Sequence, residues 1–137
     1  MAIEPITALT ESQIDDLLDL FRQEWWTKGR DADGVRRALA GSDVIVGFCD
    51  VETKRLVAFA RVLTDHVYKA LVLDVIVAST HRRTGLGRAL LDAVVGHPAL
   101  RGVRHFELYC RPEMVPFYAQ WNFTEDVGGL RFMRRAT

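Results

Sequence analysis

Six residues, Arg82-Arg83-Thr84-Gly85-Leu86-Gly87, join a strand-like run to a helix-like run, and no other stretch constrains the fold as strongly. The strand run is Leu71-Val72-Leu73-Asp74-Val75-Ile76-Val77. The helix run begins at Leu86 and reaches about Val95, with Leu86, Ala89, Leu90, Ala93 and Val94 at helical spacing. A strand that feeds a glycine loop at a helix start makes an anion site, because backbone N–H groups point outward there and the helix dipole favours negative charge. Gly85 and Gly87 let the backbone turn sharply and approach a ligand closely, since no Cβ intervenes. Arg82, Arg83 and Arg88 add positive charge around the same spot. The chemistry these residues suit is the binding of a diphosphate; the bland alternative is an ordinary tight turn.

Two other phosphate motifs fit less well. Gly85-Leu86-Gly87-Arg88-Ala89-Leu90 lacks the third glycine of a dinucleotide fingerprint and does not open the first βαβ unit of the chain. A P-loop needs Lys followed by Ser or Thr after its last glycine, and Arg88-Ala89 stands there instead.

A chain of 137 residues is long enough to bury a core without metals or disulfides, so residues 1–137 read as one domain. Lys plus Arg equals Asp plus Glu, 18 each, which gives no bulk attraction to nucleic acid or to a membrane. The charge is unevenly spread. Residues 1–24 carry six acids against Arg22 alone, and residues 81–137 carry nine arginines against five acids. A basic second half suits a polyanionic cofactor, and an acidic first helix suits a cationic acceptor or merely solvates a helix face. Cys49 and Cys110 are far apart and lack metal-ligand spacing, so they read as free thiols in a reducing compartment. His66, His81, His97 and His105 also lack ligand spacing, and no metal is expected. No apolar run has the length of a membrane span, and the first residues lack a basic, apolar, cleavable leader. A cytoplasmic location is expected.

The element pattern is legible in outline. Ile3–Thr7 reads as a short strand, followed by a helix capped at Thr10 or Ser12 with Ile14, Leu17, Leu18, Phe21 and Trp25 on one stripe. A second helix is expected over about Asp33–Ala40, stopped by Gly41. Val44–Val51 and Leu56–Leu63 read as strands joined by Glu52-Thr53-Lys54-Arg55. After the glycine loop and its helix, His105–Cys110 reads as a strand parallel to the one ending at Val77, because a helix crosses between them. A two-turn helix over about Glu113–Trp121 is expected next, with Asn122 as its left-handed cap. Phe123–Asp126 and Leu130–Arg134 then read as a closing hairpin through Gly128-Gly129.

The string R-x-x-G-x-G at Arg82–Gly87, the segment Phe117-Tyr118-Ala119-Gln120-Trp121-Asn122-Phe123 and the order β-α-α-β-β-β-α-β-α-β-β together resemble the GCN5-related N-acetyltransferases, over nearly the whole chain. Trp25–Arg30, Phe59–Asp65 and His97-Pro98 are similar to small, stand-alone bacterial members. Asn122 stands where the family usually has glycine, and Pro112 where many members have asparagine. The resemblance implies an α/β fold: a mixed sheet of about six to seven strands, splayed between its two parallel strands and flanked by about four helices. It implies acetyl-CoA as cofactor, with its diphosphate on Arg82, Arg83, Thr84, Gly85, Leu86, Gly87 and Arg88 and its pantetheine arm along the backbone of Val75, Ile76 and Val77. It also implies Tyr118 as the acid that protonates the leaving thiolate. Asp74 is either the base that deprotonates the amine or a structural partner of a residue such as Arg61. Glu24, Trp25, Trp26, Arg30 and Arg61 are candidate acceptor contacts. The expected reaction is direct acetyl transfer to a primary amine of a small molecule. A silent acyl-CoA sensor or a peptide lysine acetyltransferase are the alternatives, and a homodimer that covers exposed sheet edges is expected.

Overall fold

The computed structural model describes residues 2–137. Its elements in chain order are β1 (Ile3–Ile6), α1 (Glu11–Arg22), α2 (Ala32–Ala40), β2 (Val44–Asp50), β3 (Leu56–Thr64), β4 (Lys69–Val77), α3 (Leu86–Val95), β5 (His105–Glu107) and α4 (Val115–Ala119). Short 3₁₀ turns at Ser79–His81, Pro98–Leu100 and Pro112–Met114 precede the loop, β5 and α4.

Local chemistry sets the helix ends. Thr10 caps α1: its hydroxyl accepts from the Gln13 N–H, and the Gln13 side chain accepts from the Thr10 N–H, which completes a capping box. Gln13 also donates to the Lys54 carbonyl at 2.8 Å, tying α1 to the β2–β3 turn. Asp31 caps α2 through the Gly34 N–H at 2.7 Å.

The strands form one sheet in the order β1-β2-β3-β4-β5. The first four are antiparallel neighbours, and β4 and β5 are parallel. Two apolar cores lie on its two faces. Ile14, Leu17, Leu18, Phe21 and Val35 of α1 and α2 pack on Phe59 and Ile76. Leu86, Leu90, Leu91 and Val94 of α3 pack with Ala60, Val62, Ala70 and Val72.

Two irregularities in β4 shape the molecule. The parallel pairing covers only Lys69, Ala70 and Leu71 against His105, Phe106 and Glu107. From Val72 to Val77, β4 has no partner on that side, and the sheet splays open. On its other side the register slips between Phe59↔Ile76 and Arg61↔Leu73, so β4 carries one extra residue, a β-bulge. Asp74 lies in it with φ +57°. Because side chains alternate along a strand, the extra residue changes the facing. Ala70 and Val72 face α3, whereas Ile76 faces α1 and α2.

The sheet has five strands rather than six or seven. The expected closing hairpin is not formed: Phe123–Asp126 and Leu130–Arg134 adopt no strand, although Gly128 and Gly129 do take positive φ. The Phe132 ring contacts Tyr109 at 4.6 Å between centroids, so the segment runs beside the chain that follows β5. Alternating residues supply the strand pattern, but a ladder needs a template, and β5 ends at Glu107 instead of Cys110. The helix expected over Glu113–Trp121 is split into the 3₁₀ turn and α4, with Pro116 in the first turn of α4, where a missing N–H is harmless.

Candidate active site

The chain leaves β4 at Val77, turns through Ser79–His81 and enters α3 at Leu86. Arg83 and Gly85 both take positive φ, +63° and +85°. Gly85 is the N-cap of α3 and has no side-chain cap, so the first-turn N–H groups keep their donors free for a ligand. An ideal Cβ on Gly85 meets nothing within 4 Å; the space in front of it is open. These features fit a diphosphate. Arg83, Thr84 and Gly85 are exposed, while the Leu86 side chain turns into the core and leaves only its backbone at the site. Thr84 uses its hydroxyl to hold the His81 carbonyl and so stiffens the loop.

The three arginines of the loop differ. Arg82 reaches inward: Nε donates to the Val77 carbonyl at 3.2 Å and Nη2 to Glu24 Oε1 at 2.6 Å. Arg88 donates to Gln120 after α4. Arg83 and Arg88 are both exposed and neither makes an ion pair among the described residues, but Arg83 has no side-chain hydrogen bond there either. Gly87 sits under Phe117, with an ideal Cβ 3.5 Å from that ring and 3.9 Å from Val77 Cγ2. Phe117 and Trp121 are in edge contact, and Trp121 Nε1 donates to Asp92 Oδ1 at 2.8 Å, which fastens α4 against α3.

That packing places Tyr118 in the core cluster that Val75 and Val77 border, between the rings of Phe117 and Phe123. Tyr118 is 8% exposed. Burial, with a smaller contribution from Cys110, pushes its phenol up to about 12. It stays protonated across the range in which an amine is acetylated.

Asp74 points into a cleft of about 350 Å³ between α1, α2, β3 and β4, walled by Leu17, Phe21, Val35 and Phe59. Its carboxylate accepts from Arg30 through both oxygens, at 2.7 and 3.0 Å, and from Arg61 Nε at 2.6 Å. Burial raises its pKa, but the hydrogen bonds and charges of Arg30 and Arg61 outweigh this, and the carboxyl lies below its ordinary value. Arg30 also lies over the Phe21 ring at 4.7 Å.

The connection from α1 to α2 closes one side of the site. Glu24 is tied to Arg82, and Trp25, 63% exposed, has Arg111 from beyond β5 over its ring at 5.1 Å. Trp26 is also exposed. The residue that anchors the connection is one the sequence did not single out: Thr27, buried, donates its hydroxyl to the Phe21 carbonyl at 2.8 Å. Arg111 was likewise missed, because its partner lies far away in sequence.

A strand with a free, bulged edge, leading into an uncapped glycine loop, is the arrangement on which a family comparison bears. The family model for the acetyltransferase (GNAT) family matches residues 8–123. The chain belongs to the GNAT family. This family consists of N-acetyltransferases that use acetyl-CoA. A GNAT structure from Xanthomonas campestris pv. campestris superposes with a TM-score of 0.80 at 32% identity, covering 98% of this chain and 94% of that one. GCN5-related N-acetyltransferase 1, chloroplastic, of Arabidopsis thaliana is 31% identical over 76% of this chain and 53% of its own length. Serotonin N-acetyltransferase 2, chloroplastic, of Oryza sativa subsp. japonica is 36% identical over 76% of this chain and 53% of its own length. The chain thus spans about half the length of these curated relatives.

Proposed function

We propose that this GNAT protein transfers an acetyl group from acetyl-CoA directly to a primary amine of a small molecule. The observation that carries this reading is the unpaired edge of β4 from Val72 to Val77, continuous with the uncapped start of α3 at Gly85. Acetyl-CoA supplies an activated acyl carbon as a thioester when bound. The N–H groups from Arg83 to Arg88 hold its diphosphate, with Arg83 as the outward cation. The free backbone groups of Val75, Ile76 and Val77 align the pantetheine arm as an added strand and polarise the thioester carbonyl. Arg82 shapes the loop from behind, since its guanidinium already serves Val77 and Glu24.

Tyr118 supplies the proton that the leaving thiolate takes up, and burial keeps it protonated beforehand. Of the two roles open to Asp74, its contacts support the structural one. A carboxylate shared by two guanidinium groups and held below its usual pKa is a poor base, and its charge holds the bulge. Arg30 and Arg61 spend donors on Asp74, so their share in acceptor binding is through the cleft wall they complete. The cleft supports a small acceptor over an extended peptide, because α1 and α2 enclose it. The serotonin-acetylating relative and the exposed Trp25 and Trp26 favour an arylalkylamine. A homodimer belongs to the same reading. A cytoplasmic location rests on the free thiols Cys49 and Cys110, although the two plant relatives are chloroplastic.

The test is free-thiol release from acetyl-CoA over a panel of arylalkylamines, polyamines, amino acids, aminoglycosides and lysine peptides, with Tyr118→Phe in parallel. The enzyme reading expects release with one class, and a drop of about a hundredfold in turnover for Tyr118→Phe with CoA affinity little changed. Tight CoA binding without release across the panel supports the sensor instead. Release with lysine peptides alone moves the acceptor to protein.

A further inference from the structure

Acetyl transfer needs an uncharged amine, whereas an alkylamine is an ammonium ion at neutral pH. With Asp74 engaged by two arginines, a different group must take the proton. We infer that Glu24 is that group: its free oxygen receives the acceptor's ammonium and takes a proton from it. This rests on the small-amine reading above and assigns its base.

Position argues for it first. Glu24 Oε1 meets Arg82 Nη2 at 2.6 Å, and Nε of the same guanidinium meets the Val77 carbonyl at 3.2 Å. One planar group therefore holds the carboxylate beside the end of β4 that carries the free edge. Occupancy argues second. Only Oε1 is engaged, and Oε2 has no protein donor among the described residues. The Glu24 side chain is 23% exposed, open enough to exchange a proton with water. Reach argues third. Asp74 is one of the residues that line the cleft, and Val77 lies three residues further along β4, at most about 10 Å away. An acceptor whose body fills the cleft and whose amine points along β4 brings its nitrogen toward Glu24. Trp25 and Trp26, next to Glu24 in the chain, are exposed.

In the step, one N–H bond of the ammonium breaks and one O–H bond forms at Oε2. The nitrogen lone pair is released for attack, and the proton passes from Glu24 to solvent. The charged group in contact with Glu24 is Arg82 from the loop; nearby in the chain are Arg22 at the end of α1, paired with Asp19, and Lys28 and Arg30 on the connection, the last paired with Asp74, while Arg111 lies over the neighbouring Trp25.

The experiment uses the full chain with acetyl-CoA and tryptamine, with spermidine and a lysine peptide as further acceptors. Initial rates of thiol release are measured from about pH 6 to about pH 10 for wild type, Glu24→Gln and Arg82→Gln, and CoA affinity by calorimetry for each. Glu24→Gln is expected to lose about a hundredfold in kcat/KM at neutral pH and to recover toward wild type as the amine loses its own proton. Its CoA affinity should stay within about twofold, because the loop N–H groups are untouched. Arg82→Gln should weaken CoA binding and lower the rate by less than Glu24→Gln does, because the carboxylate that takes the proton remains. A Glu24→Gln enzyme that equals wild type at every pH overturns the inference. So does a pH-independent loss that Arg82→Gln reproduces, which would make Glu24 only the counter-ion of Arg82. A wild type silent with all three acceptors, although it binds CoA, overturns the small-amine reading itself.

Discussion

Asp74 shows how a residue's neighbours decide its chemistry. As a lone acid in an apolar strand it was open to two roles. In the folded chain it accepts three hydrogen bonds from Arg30 and Arg61 while holding φ +57° at the bulge. A non-glycine residue in the left-handed region costs about 1–2 kcal/mol, and the two arginines hold it there. Asp74→Asn leaves Arg30, its side chain 35% exposed, and Arg61, 15% exposed, without their anion and should destabilise the protein by about 2 kcal/mol, read by urea unfolding. The sign of the pH effect follows from the lowered pKa. A carboxyl held below its unfolded value stabilises the fold above about pH 4, and that stability is lost as pH falls through the lower folded value. Unfolding between about pH 2 and pH 5 should therefore steepen for wild type and flatten for Asp74→Asn. Arg30 lies 44 residues from Asp74 in the chain, so no local pattern announces the pairing.

The start of α3 separates two glycines that a motif treats alike. Gly85 needs its φ of +85°, but nothing crowds its Cβ position. Gly85→Ala should cost about 1 kcal/mol of stability through backbone strain alone, visible as a lower midpoint in thermal unfolding. Gly87 carries no positive φ, and a methyl group there would touch the Phe117 ring at ordinary contact distance. Gly87→Ala should leave stability unchanged or raise it by up to about 1 kcal/mol, since alanine is the better helix former. The methyl of that variant points at Phe117, so it lowers CoA affinity only by shifting that ring, without a loss of stability. A calorimetric titration of both variants separates the two cases. The α1 cap and the helix stripes were legible because they are local: Thr10 with Gln13 and the α3 stripe appear within a turn of their partners. The start of β5 and its parallel pairing were legible too, but its end at Glu107 and the missing closing hairpin were not, because a strand is made by its neighbour.

At the scale of the whole molecule, β1 and β5 stand at the two edges of the sheet, and Leu130, Phe132 and Met133 lie exposed beside the chain that follows β5. Exposed edges and apolar rows of this kind invite pairing. Sedimentation equilibrium should give twice the mass of one chain, and Phe132→Glu with Met133→Glu should shift it toward the monomer. A wild type that stays monomeric at high concentration would remove the dimer. The sequence alone determined the family, the order of most elements and the place of the glycine loop, because these depend on residue type and short-range periodicity. Only the tertiary structure decided that Asp74 is held between two arginines, that Arg82 turns inward to Val77 and Glu24, and that Arg111 covers Trp25. The pairs Arg30–Asp74, Arg82–Glu24 and Arg111–Trp25 join residues far apart in the chain, and their chemistry depends on burial and charge that exist only once α1, β4 and β5 have come together.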